Sequence, residues 1–353
     1  MKRPTQQDVA KIAGVSRATV SYVLNGLSEG SRVVISEETR KKVNEAIDEL
    51  GYVPDASAQA LRTGNTKNIG LIIPDMDNPH FWENADGVEK EALASGYSLI
   101  LSSMELNIEY GEDLFKDLSR QRIDGLIFTG ELINRSEKVQ KTLHQFQKRR
   151  LPIVEITDNL NLDNHLDRVS SDYYLATKEV MAHLLSLGHR QIGFVYGVHR
   201  PFLGEDRLIP YQECLLAAGL PVEEDLIIRC GTTIQDGYLA AEQLLRYPTR
   251  PTALIVINDL LAIGVMRAAA DLGLKIPQDL SVVGYDDISF SKYMIPRLTT
   301  VSKDAVGIGR EAVKLVLARI QEPDRPRQTV KLSPQVMIRE STGLVPVNTL
   351  KSS

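Results

Sequence analysis

Apolar residues recur at helical spacing in three short runs near the start of the chain. Val9, Ala10, Ile12 and Ala13 line the first, Val20, Val23 and Leu24 the second, and Val43, Ile47 and Leu50 the third. Thr5 stands where an N-cap is needed, with Asp8 three residues on in the first turn. Gly14 ends the first run, Val15 offers an apolar plug, and Ser16 caps the second run. Two short helices joined by a glycine-containing tight turn predict a helix-turn-helix, whose second helix fits the major groove of DNA. Residues 26–35, GLSEGSRVVI, read as a loop with two glycines, and Ser36-Glu-Glu-Thr-Arg opens the third helix.

From Asn68 onward the texture changes to apolar runs of strand length alternating with helical segments. NIGLIIPD precedes a helix near 81–94, GYSLILSS one near 109–120, and DGLIFTG one near 136–148, and LPIVEIT closes this first series. A second series opens with VSSD (169–172) and a helix at 175–186. QIGFVYG, LIIRC and ALIVIND follow, each leading into a helix, near 207–218, 235–245 and 260–271. LSVVGYDD, LTTV and a long helix over 303–321 complete it. Buried strands alternating with helices predict parallel sheets covered on both faces. The fold expected is therefore an N-terminal all-α helix-turn-helix domain with a hinge helix, followed by an α/β body of two doubly wound parallel-sheet subdomains. Ligands of such sheets sit beyond the carboxyl ends of the strands, here in the cleft between the subdomains.

Composition sharpens this picture in two places. The net charge of −5 looks wrong for a DNA binder until it is divided: residues 1–45 carry eight bases and five acids, and the remainder 33 bases and 41 acids. A small basic module joined to an acidic body fits nucleic-acid binding by the module alone. No apolar run approaches the ~18 residues of a membrane span, and MKRPTQQD has two basic residues but no apolar signal region. A cytoplasmic protein without a membrane partner is expected, with Cys214 and Cys230 reduced and structural.

The second predicted helix exposes Arg17, Ala18, Thr19, Ser21, Tyr22 and Asn25: a guanidinium, hydroxyls and an amide, with no acid. Such a face suits phosphate oxygens and base edges. The Asp-Val-Ala, Ala-Gly-Val-Ser, Thr-Val-Ser and Val-Leu-Asn blocks closely resemble the N-terminus of LacI/GalR-type bacterial transcriptional repressors. Further blocks carry the resemblance through the chain: Gly188-His189-Arg190-Gln191-Ile192-Gly193, Asn258-Asp259 with Ala262-Ile263-Gly264, Val283-Gly284-Tyr285-Asp286-Asp287, and Leu298-Thr299-Thr300-Val301. The resemblance implies a body similar to periplasmic sugar-binding proteins, crossed three times by the chain. It also implies a hinge helix over 55–62, matched at the Tyr-x-Pro block, Ala58 and Leu61, that folds in pairs on the operator minor groove. The domains expected are a headpiece over 1–52, hinge and linker over 53–66, a first subdomain from 67–172 with 302–330, a second from 173–301 with 331–345, and a tail over 346–353. The residues expected at DNA are Thr5, Ser16, Arg17, Ala18, Thr19, Ser21, Tyr22, Asn25, Ala58 and Leu61.

At the strand ends, acids and amides stand beside aromatics, which suits a polyhydroxylated ligand. The resemblance places His80, Phe81, Arg207, Asn258 and Asp286 at effector positions, with Asp172 a looser candidate. Asp259 is read as the cap of its helix, and His189 as a cap after Gly188. Pro201, Phe202 and Leu203 stand where purine-binding relatives carry an Arg and a polar residue, which argues for a less charged effector. Pro210 is placed in the first turn of a helix, where proline is tolerated.

Enzymatic motifs are absent or out of context. Gly307-x-Gly309 is half a dinucleotide fingerprint inside a predicted helix, and no phosphate loop or nucleophile elbow is found. No catalytic set, cofactor or metal is expected. The expected function is that of a sequence-specific DNA-binding regulator, a repressor, controlled by a sugar or related metabolite. Its expected partners are double-stranded, pseudo-palindromic operator DNA, the small-molecule effector and a second copy of the chain. A dimer is favoured over a tetramer because STGLVPVNTLKSS contains no leucine heptad. The rivals are a non-regulatory sugar-binding protein, which would need an export signal and no helix-turn-helix, and a doubly wound enzyme with a DNA-binding appendage.

Overall fold

The computed structural model describes residues 4–25, 35–53, 64–105, 107–129, 137–157, 166–197, 205–247 and 249–346. The chain divides into two units, Met1–Thr66 and Lys67–Ser353.

The first unit holds α1 (Gln6–Ala13), α2 (Arg17–Asn25) and α3 (Glu37–Leu50). Thr5 and Asp8 form a full capping box, each side chain bonding the other's backbone amide. Gly14 adopts φ 64°, and a Cβ there would meet nothing within 4 Å, so the left-handed turn alone selects glycine. Val9, Ala10, Val20, Val43, Ala46 and Tyr52 close the core, so Tyr52 belongs to this unit's packing. The 26–34 part of the predicted loop and the 54–63 segment with Ala58 and Leu61 lie outside the described residues.

The second unit begins with β1 (Asn68–Ile73), α4 (Pro79–Ala94), β2 (Ser98–Ser103), α5 (Ile108–Arg120), β3 (Gly125–Thr129), α6 (Glu137–Lys148), β4 (Ile153–Ile156) and β5 (Asp167–Ser171). It continues with α7 (Tyr173–Ser186), β6 (Ile192–Gly197), α8 (Glu205–Ala217), β7 (Ile227–Cys230), α9 (Ile234–Leu245), β8 (Ala253–Val256), α10 (Asp259–Asp271) and β9 (Ser281–Val283). It ends with β10 (Thr300–Ser302), α11 (Ala305–Gln321), β11 (Thr329–Leu332) and β12 (Gln335–Met337).

Two parallel sheets result. The first has the order β2-β1-β3-β4-β5-β11 and the second β7-β6-β8-β9, while β10 and β12 pair antiparallel as a separate ribbon. Both faces of the first sheet are covered. Ile69, Leu71 and Ile73 of β1 pack toward α4 and α11, and Ile72 toward Phe115, Leu143 and Phe146. The chain passes between the subdomains after β5, between β10 and α11, and between β11 and β12.

Three expectations are corrected here and a fourth is narrowed. VSSD does not open the second series: β5 pairs in parallel with β4 and is the fifth strand of the first sheet. β11 pairs with β5 and runs through Leu332, so the first subdomain extends past 330. Pro210 is the sixth residue of α8, not part of its first turn, because that helix starts at Glu205. His189 caps with its backbone alone, its amide donating to the Leu184 carbonyl at 3.2 Å, while its buried ring meets Thr252 Oγ1 at 2.9 Å and the Gly343 carbonyl at 3.0 Å. In the Gly307-x-Gly309 pair, Gly307 leaves room for the capping side chain of Asp304, and Gly309 has a packing reason. A Cβ at Gly309 would lie 2.2 Å from the Asn84 carbonyl, and one at Gly87 would lie 2.1 Å from that of Val306. These glycines let α4 and α11 touch backbone to backbone.

Candidate functional site

In the first unit, the expected DNA-reading residues divide into structural and presented groups. Thr5 Oγ1 donates to Asp8 Oδ2 at 2.7 Å, so its hydroxyl serves the cap. Ser16 Oγ accepts the Thr19 amide at 3.0 Å, and the two hydroxyls lie 2.8 Å apart. Arg17, Ala18 and Tyr22 are exposed, Thr19 and Ser21 half-buried. Arg17 with Ser21, and Ala18 with Tyr22, are spaced four apart and share helix faces. Asn25 ends α2, and its side chain lies outside the described residues.

In the second unit, a buried polar cluster is contributed by both subdomains. The turn after β1 is built by Asp75, whose Oδ1 accepts from the Asp77 and Asn78 amides at 2.6 and 2.8 Å. Burial pushes the Asp75 carboxyl up, and those amides pull it back. Asn78 then caps α4, accepting from the His80 amide at 3.0 Å. This cap aims His80 inward, where its Nε2 meets Asn84 Nδ2 at 3.1 Å. His80 Nδ1 faces Asp286 Oδ1 at 3.9 Å, and Phe81 packs its half-buried ring edge-on to His80 at 5.4 Å.

From the second subdomain, the Arg207 guanidinium lies 3.6 Å over the Tyr173 ring and 5.1 Å from that of Tyr285. Arg207 also donates to Asp206 Oδ1 at 3.0 Å. Tyr173 Oη donates to Asp286 Oδ1 at 3.3 Å, and Tyr285 Oη shares a 2.7 Å hydrogen bond with Thr177. Lys303, at the crossing into α11, holds its ammonium 4.9 Å from the Tyr173 ring. Burial pushes the Asp286 carboxyl up, but the charges of His80, Lys303 and Arg207 and a hydrogen bond from Asn78 outweigh it and hold the group below its ordinary value. Asp286 has φ 101° and Asp287 φ 52°, conformations that residues other than glycine seldom adopt.

The structure thus brings together His80, Arg207 and Asp286, with Phe81 against His80. Asp172 and Asn258 serve as helix caps. Asp172 accepts from the Leu175 amide at 3.1 Å. Asn258 accepts from the Leu261 amide at 2.7 Å while its Nδ2 donates to the Thr232 carbonyl at 3.3 Å. The cap of α10 is therefore Asn258, not Asp259 as expected; Asp259 lies inside the first turn and is wholly buried. Tyr173 and Lys303 were not foreseen. Both lie where the chain passes between subdomains, and that position is the signal that could have singled them out. Pro201, Phe202 and Leu203 lie outside the described residues. Among the described residues no group of His, Cys, Asp or Glu could hold a metal, and no helix is long and apolar enough to cross a membrane.

Cys230 and Cys214 offer no second reactive site. Burial pushes the Cys230 thiol up to about 12 and raises that of Cys214 in the same direction, which removes thiolate character.

Comparison with known proteins agrees with this division. Residues 5–55 match the description "Bacterial regulatory proteins, lacI family", and residues 181–342 match "Periplasmic binding protein-like domain". The chain is 33% identical over 341 residues to the HTH-type transcriptional repressor PurR of Pasteurella multocida, covering 96% of this chain and 98% of that one. It is 34% identical over 340 residues to the ribose operon repressor of Haemophilus influenzae, with the same coverage. The lac repressor dimer bound to operator and the anti-inducer ONPF superimposes with a TM-score of 0.83 at 28% identity, over 97% of this chain and all of that one. The complex of the transcriptional regulator CelR with cellobiose gives a TM-score of 0.70 at 28% identity over 96% of this chain and all of that one.

Proposed function

The chain belongs to the lacI family of bacterial regulatory proteins, and we propose that its controlling ligand is a sugar or related polyhydroxylated metabolite held at the His80–Arg207–Asp286 cluster. It is a DNA-binding transcriptional repressor under small-molecule control. The helix-turn-helix family match over residues 5–55 sets aside the reading as a sugar-binding protein without regulatory function.

The observation that carries the ligand reading is the facing of Asp286 and His80 from different subdomains at 3.9 Å, with Arg207 stacked on Tyr173 beside them. An anionic carboxylate accepts from ligand hydroxyls, the His80 imidazole donates to a ligand oxygen, and the half-buried Phe81 beside it offers apolar surface to C–H groups. Each step is binding; none makes or breaks a covalent bond. Relatives support the chemistry: CelR was solved with cellobiose and an Enterococcus faecium regulator with ribose. Phe81 borders the site, and Asp172 and Asn258 contribute through the helix ends they cap.

Arg17, Ala18, Ser21 and Tyr22 form the base-reading face on operator DNA, with Asn25 at its end. Thr5, Ser16 and Thr19 hold the helices and meet phosphates, and Ala58 and Leu61 act at the minor groove. A homodimer on a pseudo-palindromic operator is the form we infer, supported by the lac repressor dimer bound to its operator. Exposed Phe290, Tyr293 and Ile295 offer apolar surface to a second copy.

A thermal-shift screen of the full chain against sugars, polyols, nucleosides and purine bases tests the ligand class. Stabilisation by a sugar or polyol, lost in Asp286→Asn, supports it; stabilisation by purine bases alone overturns it.

A further inference from the structure

Asp259 is wholly buried in the first turn of α10, and donors from two other segments converge on it. Its Oδ2 accepts from the Ile288 amide at 3.0 Å and from Ser291 Oγ at 2.5 Å. Its Oδ1 accepts from Thr300 Oγ1 at 2.6 Å. Ile288 and Ser291 belong to the loop that follows β9 and carries Asp286. Thr300 opens β10, which leads into the other subdomain. Gly284, at the root of the loop, must lack a side chain, because a Cβ would stand 2.2 Å from Asp259 Oδ1.

The loop is held in a costly shape. Consecutive positive φ values at Asp286 and Asp287 persist only where the surroundings over-determine them. The Asp259 carboxylate supplies that determination from below, and the Asp287–Arg339 ion pair supplies it from the side. The same loop reaches the first subdomain, where the Ser289 amide donates to Glu83 Oε1 on α4 at 3.1 Å. Asp286 meets Asn78 and His80 on that helix as well.

We propose that Asp259 is the positioning residue of the ligand response: it fixes the Asp286–Ser291 loop both for ligand capture by Asp286 and for the Ser289–Glu83 contact across the cleft, and it ties that loop to the crossing strand β10. This rests on the reading of Asp286 as a ligand-facing group. A ligand that moves Asp286 moves the anchors of a carboxylate shared by the loop and the crossing strand, so occupancy of the cleft reaches the connection between the subdomains through one buried group. Both hydroxyls and the amide lie within hydrogen-bond distance of the same side chain, so the loop and the strand share one anchor.

Hydrogen exchange of the full chain without ligand tests this, because amide protection reports local opening. Asp259→Ala and the isosteric Asp259→Asn are compared with Val265→Ala, a core truncation on the same helix. Faster exchange in the Asp259 variants over 286–291 and also over 79–84 of the opposite subdomain is expected. Val265→Ala loosens its own subdomain only. Wild-type exchange over 79–84 in both Asp259 variants overturns the proposal, as does equal loosening there in Val265→Ala. If the alanine variant fails to fold, Asp259→Asn alone decides between these outcomes. Failure of the ligand screen with this exchange pattern intact would refute the ligand reading and leave the positioning role standing.

Discussion

His80 Nδ1 and Asp286 Oδ1 face each other at 3.9 Å from different subdomains. That separation is beyond a hydrogen bond yet short for two buried groups held by separate sheets. A ligand hydroxyl placed between them can donate to the carboxylate and accept from the ring. The energy of that bridge depends on the angle between the subdomains. Binding therefore favours one angle, and a ligand shifts such an equilibrium only by its differential affinity for the two states.

Asp286→Asn is expected to abolish the response to ligand while leaving affinity for operator without ligand near wild type. The coupling lost is about 1–3 kcal/mol. Reciprocity gives the check. Calorimetric titration of wild type with the stabilising ligand, with and without operator DNA, must give affinities that differ by the same factor by which the ligand changes operator affinity. Equal affinities would remove this cluster from control of DNA binding.

Acid sensitivity is expected from the C-terminal segment. Burial pulls the His189 imidazole below its ordinary 6.5, against a counteracting hydrogen bond to the Gly343 carbonyl. His183, which meets Thr342 at 3.0 Å, is shifted the same way by burial. For a histidine with a lowered folded value, the unfolded chain takes up the proton first. Its stabilising contribution is whole above 6.5 and is lost as pH falls below that value through the folded one. Urea midpoints should fall as the pH is lowered through that window. His189→Gln should flatten part of that slope while lowering stability at neutral pH by about 1–3 kcal/mol. An unchanged slope in His189→Gln would assign the acid sensitivity elsewhere.

Much of the architecture was legible because its strands are buried and its helices well capped. β1, with one face against α4 and α11 and the other against Phe115 and Phe146, reads as a continuous apolar run. β11 and β12 escaped because TVKL and QVM are short and half-exposed, so neither carries a buried-strand signal. VSSD was read as opening the second series, although the 67–172 bounds taken from the resemblance include it in the first subdomain, because a run of residues records burial, not its neighbour in space. The cap of α10 was misread by one residue, since Asn258 and Asp259 are both good capping types and only the surrounding donors distinguish them. Asp286 and Arg207 stood out at strand and helix ends. Lys303 and Tyr173 did not, because the Tyr173–Asp286 hydrogen bond and the Lys303–Tyr173 contact each join positions more than 100 apart in the chain.

Arg17→Ala should weaken binding to the cognate operator by about 1–3 kcal/mol and relax the preference at one base pair, as loss of a bidentate guanine contact does. Arg17 is exposed at the start of α2, whereas Thr19 is already engaged with Ser16. Thr19→Val should therefore act mainly on the stability of α2. Binding to cognate and randomised DNA, measured side by side, separates the roles. Equal losses on both would make Arg17 a phosphate contact only.

Two glycines should respond unequally to added side chains, because they are glycine for different reasons. Gly14 has open space around its missing Cβ and only a left-handed φ of 64° to satisfy, so Gly14→Asn should cost little. Gly87 sits within helix α4, where alanine would ordinarily gain up to about 1 kcal/mol in helix propensity. Its Cβ would stand 2.1 Å from the Val306 carbonyl, an atom of the backbone that no rotamer change can move away. The two helices must part for it to fit, and overpacking of this kind costs roughly 1–3 kcal/mol or more. The steric term outweighs the propensity gain, so Gly87→Ala should lower the urea midpoint of the body while Gly14→Asn leaves it unchanged. Wild-type stability in Gly87→Ala would mean that α4 and α11 do not meet backbone to backbone.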